Sequence, residues 1–200
     1  MLKEIKIATI LPYKENYTFS KAAAASLWVC EFYKYSKFKK TNYIFGSTNS
    51  KDYLSKNYIN IYVNNLKSKL SSSTIEYCKQ FIKNSKKFNF DLIEIHNRPL
   101  VFRYLKSRIE TKYILYFHND PLSMKGSKTL KERQILINSV DKIIFVSKWV
   151  QKRFFNQLDE KLINKTDVIY PSIHPEKKLF NKEKKIVFVG KLNPSKGYDI

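Results

Sequence analysis

Leu92-Ile93-Glu94-Ile95-His96-Asn97-Arg98-Pro99 and Tyr113-Ile114-Leu115-Tyr116-Phe117-His118-Asn119-Asp120-Pro121 are the stretches on which the fold is read. Each is a short apolar run, rich in β-branched and aromatic residues, that stops at a His-Asn pair and is closed by a proline. Near-continuous apolar runs of this length mark strands covered on both faces, and such strands belong to parallel sheets. Outward from this pair, the same pattern predicts strands at residues 5–11, 42–45, 59–63, 142–146 and 167–170. Helical rhythm falls between them. In residues 20–36, Ala25, Trp28, Val29, Phe32 and Tyr35 recur at helical spacing behind Ser20, a candidate cap. Residues 72–87 carry Ile75, Cys78, Phe81 and Ile82 in the same rhythm, and residues 129–138 and 148–157 supply two shorter helices. Strand alternating with helix specifies an α/β fold: a doubly wound, mostly parallel Rossmann-like sheet with helices on both faces.

In such sheets ligands sit beyond the carboxyl ends of the strands. His96-Asn97-Arg98 and His118-Asn119-Asp120 fall there. A residue before proline is pushed towards extended geometry, so Arg98 and Asp120 are expected on stiff loops. If their strands are neighbours, the two side chains pair across the cleft. The competing reading is that each His-Asn pair ties off its strand end by local hydrogen bonds. Metal binding is disfavoured, because His96, His118 and His174 have no carboxylate or cysteine at ligand spacing. The four glycines, Gly46, Gly126, Gly190 and Gly197, spell neither a dinucleotide fingerprint nor a serine-hydrolase elbow. Residues 190–197 do place two ammonium groups, Lys191 and Lys196, on an expected strand-to-helix turn behind the apolar run 186–189. A diphosphate is the natural guest of such a turn.

Pro171 and Pro175 open a stretch of lysine and glutamate that reads as an exposed linker. The expected organisation is a first domain over residues 1–174, a linker at 175–184, and the start of a truncated second domain at 185–200. On this reading the 200-residue chain is a fragment.

Composition narrows the function. The apolar fraction of 43% supports a real core. The longest nearly apolar stretch, residues 22–30, is too short for a membrane-spanning helix of about 20 residues. Lys3, Glu4 and Lys6 break up any signal peptide, and two cysteines frame no disulfide scaffold, so a cytoplasmic setting is expected. The net charge is +21, but only five of the 38 basic residues are arginine, the residue favoured for base readout and bidentate phosphate grips. Nucleic acid is therefore disfavoured. A solvated lysine coat and a membrane-facing surface remain alternatives.

The motifs taken together resemble glycosyltransferase family 4, built on the GT-B fold of two facing Rossmann-like domains. The carriers are residues 92–99, then Tyr116-Phe117-His118-Asn119-Asp120-Pro121, then Lys142-Ile143-Ile144-Phe145-Val146-Ser147. Val168-Ile169-Tyr170-Pro171, Val187-Phe188-Val189-Gly190-Lys191-Leu192 and Ser195-Lys196-Gly197 complete the series in family order. The resemblance implies transfer of a sugar from a nucleotide-diphosphate sugar to a glycan or lipid-linked acceptor, with retention, without metal and without a cofactor. It implies that His118 reaches the donor sugar, that Gly190, Lys191 and Lys196 hold the diphosphate, and that Asn97, Arg98, Asn119, Asp120 and Ser147 line the acceptor side of the cleft. An enzyme of this kind would work at the cytoplasmic face of a membrane, on its anionic surface.

Three departures stand out. Family members usually carry arginine where this chain has Lys191, and lysine lacks the bidentate grip. Many have a Gly-Gly pair after the first strand, where this chain has Lys14-Glu15-Asn16-Tyr17. The family's carboxylate motif would fall beyond Ile200. A transfer site between two domains needs both, so the 200-residue chain by itself is expected to be inactive. The rival reading is a non-catalytic basic Rossmann-like module on anionic lipid or nucleic acid.

Overall fold

The structure, a computed structural model, describes residues 4–63 and 72–172. His174, the linker expected at 175–184 and the second-domain segment with Gly190, Lys191 and Lys196 lie outside the described residues. Seven strands form one sheet: β1 (Ile7–Ile10), β2 (Asn42–Gly46), β3 (Tyr58–Asn60), β4 (Leu92–His96), β5 (Lys112–Phe117), β6 (Lys142–Phe145) and β7 (Thr166–Val168). Their spatial order is β3-β2-β1-β4-β5-β6-β7 and every pairing is parallel. The chain runs outward from β1 to β3, then returns to lay β4 on the other side of β1. That reversal is a topological switch point, the place where an open α/β sheet leaves a crevice.

Among the described residues five helices cover the sheet: α1 (Ala24–Tyr35), α2 (Ser73–Ser85), α3 (Pro99–Lys106), α4 (Leu130–Ser139) and α5 (Lys148–Phe154). Because successive strand residues point to opposite faces, Ala8, Ile10, Ile93, Ile95, Leu115, Phe117 and Phe145 face one way. There they meet Tyr77, Cys78 and Phe81 of α2, Val101, Phe102 and Leu105 of α3, Leu136 and Ile137 of α4, and Val150 and Phe154 of α5. Each large apolar side chain buried this way contributes about 1.5–3 kcal/mol. The opposite face is smaller and more polar. Ile44, Tyr116 and Ile144 pack there with Trp28, Val29 and Cys30 of α1, while Thr9, Asn42 and His96 of the same face are buried polar groups. Behind the sheet, Arg133 is 2% exposed and spans three backbone carbonyls, those of Ser127, Lys128 and Asn156.

The predicted parallel α/β sheet is the observed one, with three local differences. Ser20 does not cap α1: its amide donates to the Asp52 carboxylate at 2.9 Å, and the helix begins at Ala24 with no side-chain cap on Ala23. The anchorage to Asp52, beside the bridge between Thr18 and Tyr53, holds Ser20 in a turn at residues 19–21, ahead of the helix. Phe32 and Tyr35 are exposed although they continue the apolar rhythm of α1, so only its first two turns meet the sheet. Helix α3 was legible only in hindsight: Pro99 stands in its first turn, and Val101, Phe102 and Leu105 give a buried stripe too short to show periodicity.

Candidate active site

The carboxyl ends of the strands at and beside the switch point open into a cavity of about 510 Å³. Its walls come from separate pieces of the chain: Glu15 from the loop after β1, Trp28 and Glu31 from α1, Asn97 after β4, His118 and Asn119 after β5, Val146 after β6, and Pro171 and Ser172 after β7. In a chain of net charge +21, the charged side chains lining this cavity, among the described residues, are both carboxylates.

The two His-Asn pairs are bonded to each other. Nδ1 of His96 lies 2.8 Å from Nε2 of His118. Asn97 has φ of +53°, a left-handed conformation that asparagine tolerates better than most residues. Its amide donates to the Tyr116 carbonyl at 2.8 Å, and its side-chain Oδ1 accepts from the amides of His118 at 2.7 Å and Asn119 at 3.3 Å. The backbone after β5 is thus fastened by the residue after β4. Register explains it: His96 stands opposite Tyr116, so the residues that follow meet across one strand spacing.

Trp28 closes this cluster from above. Its ring meets the His118 imidazole edge-on at 5.1 Å and 87°, and the His96 imidazole at 5.6 Å and 63°. Tyr116 stacks on His96 at 4.5 Å, nearly parallel at 8°. Burial holds the His118 imidazole down at about 4, and burial, then the neighbouring His118, holds His96 well below its ordinary range. Both rings are neutral at pH 7, so one donates its single ring proton to the other.

Glu15 occupies the other wall. Burial pushes the Glu15 carboxyl up, against the pull of the Ser26 N–H, of Arg98 and of the Ala25 N–H, the two amides standing in the first turn of α1, where the helix dipole favours negative charge.

Of the residues expected at the site, Asn97, His118 and Asn119 come together in the cavity. Arg98 and Asp120 do not pair. Nη1 of Arg98 donates to the carbonyl of its own neighbour Asn97 at 2.8 Å, and Arg98 faces a smaller cavity of about 290 Å³ with Thr74, Ser123 and Lys125. Asp120 is taken by Arg153 of α5, which stands nearer in the fold than the adjacent strand end. Ser147 caps α5, its hydroxyl accepting from the Val150 amide at 3.2 Å, and Val146 rather than Ser147 lines the large cavity.

Sequence reasoning missed Trp28 and Glu15 as site residues, having read one as core and the other as a departure from a glycine pair. It also missed Glu94. Burial pushes that carboxyl up, although the Thr9 hydroxyl lies 2.8 Å from Oε2 and the Tyr116 hydroxyl 3.3 Å from Oε1. The signal was present: Glu94 and His96 are polar residues two apart on one face of an otherwise apolar strand.

Comparison with known proteins agrees with this fold. The family model of Glycosyltransferase Family 4 matches residues 43–177. An uncharacterized glycosyltransferase of Methanocaldococcus jannaschii is 37% identical over 119 residues, covering 55% of this chain and 32% of that protein. Among solved structures, HepE of Anabaena in complex with UDP-glucose superposes with a TM-score of 0.59 at 15% identity, over 84% of this chain and 44% of that one. Sucrose-phosphate synthase from Thermosynechococcus elongatus gives a TM-score of 0.56 at 12% identity, over 82% and 48%. A glycosyltransferase from Rickettsia africae gives 0.55 at 16% identity, over 84% and 43%. The chain thus spans about a third of the curated relative and under half of each solved structure. At these identities the structural likeness is one of fold, the Rossmann-like domain of GT-B proteins.

Proposed function

The chain belongs to glycosyltransferase family 4, and from that premise we propose that it is the acceptor-side half of an enzyme that moves a sugar from a nucleotide-diphosphate sugar to a glycan or lipid-linked acceptor. The observation that carries this reading is the cavity at the switch point, with His118 presented into it by His96 and Asn97. HepE, solved with UDP-glucose, shares the fold and gives the donor class its support.

A neutral imidazole suits a sugar better than a phosphate. Held uncharged at pH 7, His118 offers its second ring nitrogen, Nδ1, as a hydrogen-bond partner to a sugar oxygen. The carboxyl groups of Glu15 and Glu31 suit hydroxyl groups of an acceptor, and with Glu31 already paired to Lys34 at 2.6 Å the cavity wall offers a diphosphate no free cation among the described lining residues. The leaving diphosphate therefore needs cations from elsewhere. We assign these to Lys191 and Lys196, which stabilise the negative charge as it develops, with no metal and with retention at the sugar carbon. Arg98 and Lys125, beside the smaller cavity, stand on the acceptor side.

The test is His118→Ala in the full-length enzyme, assayed with a panel of nucleotide sugars. Turnover should fall at least tenfold, with the donor KM and the melting temperature changed much less. Unchanged turnover would remove His118 from the site.

A further inference from the structure

We propose that His96 is a positioning residue: its Nδ1 bond fixes which nitrogen of the His118 ring carries the proton, and so decides whether His118 meets the sugar as a donor or as an acceptor. This rests on the reading of His118 given above, and extends it to a residue that itself faces away from the cavity.

The geometry leaves little freedom. His96 is 1% exposed, the last residue of β4, and its ring stacks flat on Tyr116 and meets Trp28 edge-on, while Trp28 also meets Tyr116 edge-on, so the three rings brace one another. Only Nδ1 of this ring bonds His118, and only Nε2 of His118 answers it. Two arrangements satisfy one proton between them. If His96 donates, the neutral His118 keeps its proton on Nδ1 and offers a donor to the cavity. If His118 donates, its Nδ1 is a bare lone pair and offers an acceptor. A free neutral imidazole mixes both forms, and a ring bonded on one side keeps the form its partner dictates. What sets the partner is the environment of the second His96 nitrogen. His96 lines a separate cavity of about 290 Å³ with Glu94, Thr9, Tyr33 and Tyr116, while His118 shares the large cavity with Glu15 and Glu31. Trp28 lines both cavities, and the imidazole pair links His96 in the one to His118 in the other.

The experiment is ¹⁵N spectroscopy of the histidine rings in the full-length protein, as wild type, His96→Phe and His96→Asn, with turnover measured on each. His96→Phe keeps an aromatic ring against Tyr116 and Trp28 but removes the bond. His96→Asn places an amide near the position of Nδ1 and restores one. In the wild type the two His118 nitrogens should read as one tautomer. In His96→Phe they should shift to the averaged values of a tautomer mixture, with turnover down at least fivefold, and His96→Asn should recover most of both. Unchanged His118 shifts in His96→Phe would overturn the proposal whatever the activity. So would shifted nitrogens with full turnover, provided that His118→Ala is inactive. If His118→Ala is itself fully active, the reading of His118 as the sugar contact fails, and the shifts alone decide the pairing with His96. A His96→Phe that fails to fold leaves His96→Asn to decide: a His118 tautomer and turnover equal to wild type support the bond, and a mixture overturns it.

Discussion

The Arg153 guanidinium grips the Asp120 carboxylate with two nitrogens, Nε at 3.2 and 3.1 Å from its two oxygens and Nη2 at 2.8 Å from Oδ2. The pair ties the loop after β5 to α5, and Asp120 also accepts from the Leu122 amide at 3.0 Å, capping the short turn at Pro121–Ser123. It keeps the segment beyond His118 and Asn119 on the sheet rather than across the cavity.

Arg153 beside Asp120, first by its hydrogen bonds and then by its charge, holds that carboxyl below the usual carboxylate range. A carboxyl with a lowered folded value binds fewer protons than in the unfolded chain, so its contribution to stability is present above the unfolded value of about 3.9 and lost as the pH falls through the folded one. Arg153→Met should therefore lower the urea midpoint by a constant amount between pH 7 and about 4, and the gap to wild type should close below that. The pair is partly exposed, so the gap should also shrink in salt. A gap that stays constant down to pH 2.5 would show that the loss comes from packing and not from the ion pair.

His118 resists protonation more than a surface histidine does, because burial disfavours its charged form. Its folded value of about 4 lies below the ordinary 6.5. Between those values the unfolded chain takes a proton that the folded chain refuses, so stability is full above about pH 6.5 and falls as the pH drops towards 4, by on the order of 3 kcal/mol. The ionisable groups that share its cavity are Glu15 and Glu31, and those beside its partner His96 are Glu94 and Tyr116. Urea unfolding of wild type and His118→Gln from pH 7.5 to 4.5 measures this directly. The wild type should lose more stability over that range than the variant, and parallel curves would mean that the ring protonates without cost.

The end of α1 carries a basic, partly apolar surface. Lys34, Lys37, Lys39 and Lys40 are exposed there, and Leu27 and Tyr35 of the same helix are 50% and 66% exposed. Among the described residues no helix is long and apolar enough to cross a membrane. If this surface meets an anionic bilayer, each lysine near it contributes about 1 kcal/mol. The full-length protein should sediment with anionic vesicles and not with neutral ones, and changing the four lysines to glutamine should abolish most of that binding. Equal sedimentation with both vesicles, or with neither, would leave the lysines as a solvated coat.

The sequence by itself determined the sheet. Apolar runs such as residues 113–117 can be satisfied only between two layers of helices, and the hydrophobic effect that requires this is read locally, residue by residue. It also determined that His118 and Asn97 stand at strand ends, because a strand must end where its apolar run does. Only the tertiary structure decided what those residues touch. Hydrogen bonds and ion pairs depend on ångström-scale register between segments far apart in the chain. Nothing in the sequence around Asp120 announces that Arg153, 33 residues later, will reach it before Arg98 does. Nothing around Ala23 announces that Glu15 will come to face the first turn of α1. The bond between His96 and His118 is of the same kind: two strand ends, each legible alone, become one neutral pair because β4 and β5 lie side by side in register.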